Sequence, residues 1–133
     1  MNQPLAYIHL ISSQTNIKIT IQNLGIGPLI VKNTTIETKD GVCYSDFKKL
    51  LLDSNFTFKS LKEIDEVYTA KEYILGPNKE RTLLSYTRKN NEDKDFEKLK
   101  KILGNYGIHI DYEDIFKQNY PFDDKPLDLF SRS

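Results

Sequence analysis

Ile17-Lys18-Ile19-Thr20-Ile21-Gln22-Asn23-Leu24-Gly25-Ile26-Gly27-Pro28-Leu29-Ile30-Val31 is the stretch whose reading decides the fold. Its first half alternates isoleucine with a polar residue, a period of two that predicts a strand with one face on a core and the other toward water. Its second half is again β-prone, and between them lies Asn23 to Pro28. The glycines invite comparison with a phosphate-cradling loop. A dinucleotide fingerprint needs a helix to begin directly after them, whereas Leu29-Ile30-Val31-Lys32 favours a strand and Pro28 removes an N–H donor. No Gly-Lys-Ser or Gly-Lys-Thr follows, so a P-loop is excluded as well. The segment therefore reads as a sharp bend or bulge where one strand leaves a sheet and another begins, with Gly25 and Gly27 supplying backbone freedom and Asn23 bonding locally.

Working outward, Leu5 to Ile11 predicts a strand that forms a hairpin with the isoleucine strand across the turn Ser12 to Asn16. Pro28 to Lys39 continues as a strand to Asp40-Gly41, a dipeptide suited to a tight hairpin turn, and Val42 to Tyr44 begins the return. Glu66 to Leu75 and Arg81 to Arg88 flank the turn Gly76-Pro77-Asn78. Ile108 to Phe116 closes the set, with Ile108, Ile110 and Tyr112 on one face and His109, Asp111 and Glu113 on the other.

Two short helices interrupt these strands. Ser45 is placed to cap the first, whose Phe47, Leu50 and Leu51 share one face; it ends near Asp53-Ser54-Asn55. The second follows the charged loop Arg88 to Lys94, with Asp93 or Asp95 as cap and Phe96, Leu99, Ile102 and Leu103 at helical spacing, and ends at Gly104 or Gly107. Each has one apolar stripe and so is expected as a lid on a sheet. Lys94, Lys98, Lys100 and Lys101, balanced by Asp93, Asp95 and Glu97, read as a solvated helical face. The fold expected is a mainly β, immunoglobulin- or fibronectin-like antiparallel sandwich with two short peripheral helices. It occupies residues 1–133 as one domain, with an ordered core over about 4–116 and an irregular tail over 117–133 partly pinned by Tyr120 and Phe122.

Length and charge set the bounds on function. The 133 residues suit one domain, and 19 Lys plus Arg against 19 Asp plus Glu offer no electrostatic footprint for nucleic acid or an anionic bilayer. Eight tyrosines and seven phenylalanines are too many for a disordered segment. No window reaches the roughly 20 apolar residues of a spanning helix. The start has neither the basic segment nor the cleavage site of a signal peptide, so the expectation is a cytoplasmic protein or a domain that follows an upstream anchor. Cys43 has no partner for an internal disulfide and, in the alternating Val42-Cys43-Tyr44, is expected to be buried packing.

The motifs, in order, are Asn23-Leu24-Gly25-Ile26-Gly27-Pro28, a short Asp46-Phe47 helix, Gly76-Pro77 before Leu83-Leu84, and Ile108 to Ile115. On these the chain resembles, over Ile17 to Phe116, a large group of uncharacterised bacterial β-sandwich domains. The resemblance implies a domain held outside the cytoplasm, periplasmic or at the cell surface, by a membrane tether. Leu29 departs from the pattern, in which many relatives have Ala after Gly-Pro, so packing at the bend differs.

Candidate chemistry is sparse. His9 and His109 lie one hundred residues apart with no Cys or His at ligand spacing, so neither a metal nor any other cofactor is expected. The acidic run Asp111, Glu113 and Asp114 could serve acid–base catalysis, though a solvated sheet face explains Asp111 and Glu113 equally. Gly-x-Ser-x-Gly and the calcium-loop pattern are absent. Tyr68, Lys71 and Tyr73, and Tyr86, Arg88 and Lys89, interleave aromatic and basic residues that could stack bases or sugars, but Tyr on strands more often packs across from a neighbour. The expected role is a non-enzymatic interaction or spacer domain of a larger membrane-tethered bacterial protein. A protein partner of unknown identity is compatible with that role, and neither nucleic acid nor direct membrane insertion by this segment is expected. The alternatives are a carbohydrate- or other ligand-binding sandwich using exposed Tyr and a small hydrolase using Asp111 and Glu113.

Overall fold

The computed structural model describes residues 3–121 and 125–131. It is a two-layer β-sandwich. One layer contains β1 (Ala6–Ser12), β2 (Asn16–Asn23), β7 (Glu80–Thr87) and β5 (Glu66–Val67), hydrogen-bonded in that order. The other runs β10 (Lys125–Pro126), β8 (Gly107–Glu113), β3 (Leu29–Glu37), β4 (Cys43–Tyr44), with β6 (Tyr73–Leu75) also on β3 and β9 (Asn119–Pro121) also on β8. All pairings are antiparallel.

The isoleucine alternation does what its period dictates. Ile17, Ile19 and Ile21 are fully buried, and β1 pairs with β2 from Ala6↔Asn23 to Ser12↔Ile17. Thr20, expected toward water, is buried too, because β2 is a central strand and Thr20 sits between His9 on β1 and Thr82 on β7. In β3 a bulge falls between Val31 and Asn33, and the extra residue reverses the alternation. Leu29 and Val31 therefore face the core before it and Ile36 after it, a switch that strict period-two reading of the strand cannot show. The Asp40-Gly41 hairpin forms as read, with Gly41 at φ 89 and Ile36 opposite Tyr44.

Three α-helices, one more than expected, close the sandwich. α1 (Phe47–Asp53) buries Phe47, Leu50 and Leu51. Its cap is Asp46, not Ser45: Asp46 has extended backbone and accepts from the Lys49 N–H at 2.8 Å, a charged acceptor one residue nearer the first helical turn. α2 (Phe58–Lys62), capped by Thr57, carries no sequence signal because five residues give too short a stripe to establish a period. α3 (Lys94–Leu103) is capped by Asp93, ends at Gly104 and buries Phe96, Leu99 and Leu103. Lys100 departs from the solvated face expected of the lysines. It is buried, and its ammonium lies 5.0 Å over the Phe96 ring and donates to the Ser13 carbonyl at 2.8 Å, closing the β1–β2 turn.

Two further expectations are corrected. Glu66 to Leu75 is not one strand. Glu66–Val67 pairs with β7 in one layer and Tyr73–Leu75 with β3 in the other, so the chain changes sheet between them and changes back through Gly76-Pro77-Asn78. Nor are the described residues of 117–133 an irregular tail. Tyr120 pairs with Tyr112 and Lys125 with Ile108, and a 3-10 turn (Asp128–Ser131) follows with Leu127 and Phe130 fully buried. The pinning role read for Phe122 lies outside the described residues.

Candidate functional site

Asn23 is the last residue of β2 and is fully buried at the double-glycine bend. Its amide makes four hydrogen bonds. Nδ2 donates to the Gly27 carbonyl at 2.8 Å and the Leu75 carbonyl at 3.1 Å; Oδ1 accepts from the Gly25 N–H at 2.9 Å and the Leu5 N–H at 3.2 Å. One side chain thus ties together the bend, β6 and the residue before β1, using its whole donor set. Gly25 is needed by contact: a Cβ there would lie 2.3 Å from the Gln3 carbonyl oxygen. With the N–H groups of residues 24–27 all bonded internally, the bend turns Leu24 and Ile26 outward, 46% and 65% exposed.

A second loop at the same end is built the same way. β3 and β8 are paired at Ile30↔Glu113, so the turn after β8 stands beside the bend before β3. Asp114, third in the acidic run, points inward and is buried. Its Oδ1 accepts from the Phe116 N–H at 2.8 Å and the Gln118 N–H at 3.0 Å, and its Oδ2 from the Tyr120 hydroxyl at 3.1 Å. Burial opposes the charge, but these donors overcome it and hold the carboxyl below its ordinary range. Burial first, then the same contact, raises the Tyr120 hydroxyl. Pinned by the carboxylate, with Lys117 at φ 62, the turn presents Ile115 and Phe116 to solvent, 52% and 77% exposed. Leu5, 54% exposed, adjoins Leu24 through the Leu24 N–H, and Ile74, 64% exposed, pairs with Ile30 on the outer face.

The opposite end carries an open groove of about 1090 Å³ between the Glu37–Gly41 hairpin and the Gly104–Gly107 loop, with Tyr106 as its aromatic residue and Pro126 and Asp128 on its rim. Ser131 lies against Gly104 there, while Gln3 lies at the bend, so the described chain enters at one end and leaves at the other.

The residues singled out as candidate chemistry do not converge. Asp111 and Glu113 stand on the outer face of β8, with Asp111 Oδ1 2.9 Å from His109 Nε2. Among the described residues no three His, Cys, Asp or Glu side chains are grouped to hold a metal ion. Tyr73 and Tyr86 are buried and Tyr68 half-buried, which removes them as exposed stacking platforms. Tyr68 packs edge-on to Tyr73 at 5.2 Å with the Arg81 guanidinium 4.3 Å above it, and Tyr86 donates to both oxygens of Asp93. Burial first, then the Asp93 contact, raises the Tyr86 hydroxyl far above its ordinary range. Cys43, expected inside, is exposed, because β4 is an edge strand only two residues long. Its thiol lies 3.4 Å from Glu37 Oε2, whose hydrogen bond and charge raise the thiol and suppress the thiolate. Sequence reasoning missed Asp114 and Phe116 as loop-builders; the signal was the switch from alternation to Asp-Ile-Phe-Lys at the strand end.

No family model, no curated protein and no solved structure matches the chain.

Proposed function

We propose that the protein is a non-enzymatic interaction module, immunoglobulin-like in connectivity, that binds a protein partner through its apolar loop end. The observation that carries the reading is the exposure of Ile26 and Phe116 on loops pinned by Asn23 and Asp114. Exposed apolar side chains cost nothing to replace in a spacer, whereas a rigid apolar surface keeps the entropy cost of docking low. Immunoglobulin-like connectivity draws support from the strand order β1-β2-β7-β5 in one layer and β10-β8-β3-β4 in the other, an order compatible with that arrangement once β4 and β6 are added beside β3 and β9 beside β8. Entry and exit at opposite ends suit a unit inside a longer membrane-tethered chain held outside the cytoplasm, the setting the resemblance implies.

Position-specific cross-linking tests this. A photoreactive phenylalanine in place of Phe116, expressed in the source cell, should give a discrete protein adduct that Ile26→Ser suppresses, and the same probe at Lys18 on the far layer should give none. Absence of an adduct at position 116, or the same adducts from both positions, refutes the reading. A second reading, small-ligand binding, is favoured by the Tyr106 groove. The hydrolase reading loses support because Asp111 and Glu113 face outward on an open strand.

A further inference from the structure

Six large apolar side chains are exposed at or beside one end of the sandwich: Leu5, Leu24, Ile26, Ile115 and Phe116 on its loops and Ile74 on the adjoining outer face. Half to three-quarters exposed, each leaves on the order of 100 Å² to water. Together they offer on the order of 600 Å², at the upper limit for the largest apolar patch of an ordinary monomer and close to the ~800 Å² each partner contributes to a stable interface.

We propose that the occupant of this surface is a second copy of the chain, docked end to end about a two-fold axis. This rests on the interaction reading above and names its partner. The area is the first argument: two such ends facing each other bury an amount in the range of a standard-sized interface. Charge is the second. The chain has equal numbers of acidic and basic residues, 19 of each, so two copies meet without net repulsion. Around the apolar centre two rim segments carry both signs, Lys79 next to Glu80 beside the bend and Lys117 four residues from Glu113 after β8, so a two-fold contact can set lysine against glutamate. A lipid surface needs a cationic surplus at such a tip, and this rim has none. Rigidity is the third, because the loops are already fixed by Asn23 and Asp114 and a self-complementary contact needs both copies in one shape.

Sedimentation of the purified chain from roughly 1 to 200 µM tests it. The expected result is a concentration-dependent dimer, with the pair Ile26→Ser and Phe116→Ser raising the dissociation constant at least about tenfold. Their circular dichroism and melting should stay those of the parent, since both side chains are exposed. Val42→Ser, an exposed apolar position at the groove end, should leave association unchanged. A monomer across the whole range overturns the proposal, as does a dimer indifferent to the loop pair but weakened by Val42→Ser. Binding of the monomeric chain to vesicles containing phosphatidylserine also overturns it, in favour of a membrane. A monomer in solution with a heterologous adduct at Phe116 in cells removes the self-association and leaves the interaction reading standing; neither dimer nor adduct removes both.

Discussion

Asn23→Ala is the substitution that tests the construction of the loop end most directly. The side chain is fully buried and holds four backbone groups: the carbonyls of Gly27 and Leu75 and the N–H groups of Leu5 and Gly25. A hydrogen bond contributes about 1 kcal/mol net, and a buried group left without a partner costs about 1 to 3 kcal/mol. Water can reach some of the four once the amide is gone, since Leu5 is exposed, so the expected loss is about 3 to 5 kcal/mol. Against a total of about 5 to 15 kcal/mol for a domain, this is a large fraction. Urea titration followed by tyrosine fluorescence measures it, and the melting temperature should fall by about 10 °C or more. Asn23→Asp separates geometry from chemistry. It keeps an acceptor for Leu5 and Gly25 but sets a carboxylate oxygen against the Gly27 and Leu75 carbonyls, so it should not rescue. A loss below about 1 kcal/mol for the alanine variant, or a fully stable aspartate variant, refutes the claim that this amide organises the bend.

Three other outcomes follow from the same geometry. Gly25→Ala forces a Cβ to within 2.3 Å of the Gln3 carbonyl and should cost about 2 kcal/mol or more in thermal denaturation; Gly41→Ala has open space but positive φ and should cost only about 1 kcal/mol. Because the folded state lowers the Asp114 carboxyl, its stabilisation is full above the ordinary value near ~3.9 and is lost as pH falls through the lower folded value. Asp114→Asn should therefore lower the urea midpoint at pH 7, with the gap to the parent closing in strong acid. Asp93→Ala removes a helix cap and the acceptor of Tyr86 together and should cost about 2 to 3 kcal/mol by urea titration, more than Tyr86→Phe, which removes only the hydroxyl.

The sandwich was legible where a local pattern and a turn residue agreed. Ile17, Ile19 and Ile21 declared their face, Asp40-Gly41 its hairpin, and Phe96, Leu99 and Leu103 their helix, each through side-chain periodicity within about ten residues. Misreadings arose where distant partners decide the outcome. Glu66 to Leu75 is β-prone on both sides of Ala70-Lys71-Glu72, and the separate demands of β7 and β3 divide it there between layers. Tyr120 and Lys125 look irregular beside Pro121 and Pro126, yet the free edge of β8 recruits them. Of the site, the bend and the local bonding of Asn23 could be read from the glycines. The reach of Asn23 to Leu75, 52 residues away, could not, nor could the inward turn of Asp114 at the end of a run whose other acids face outward.

Entry beside the bend and exit beside Gly104 also fix how the molecule would carry a load. Tension applied between Gln3 and Ser131 runs along the strands. It would slide β1 past β2 and β10 past β8, straining each ladder in shear so that its hydrogen bonds must fail together, whereas a peeling geometry would break them one at a time. Pulled this way, the sandwich is expected to resist extension as a rigid link, with the β1–β2 ladder and the Asn23 tie to Leu5 as its first line of resistance.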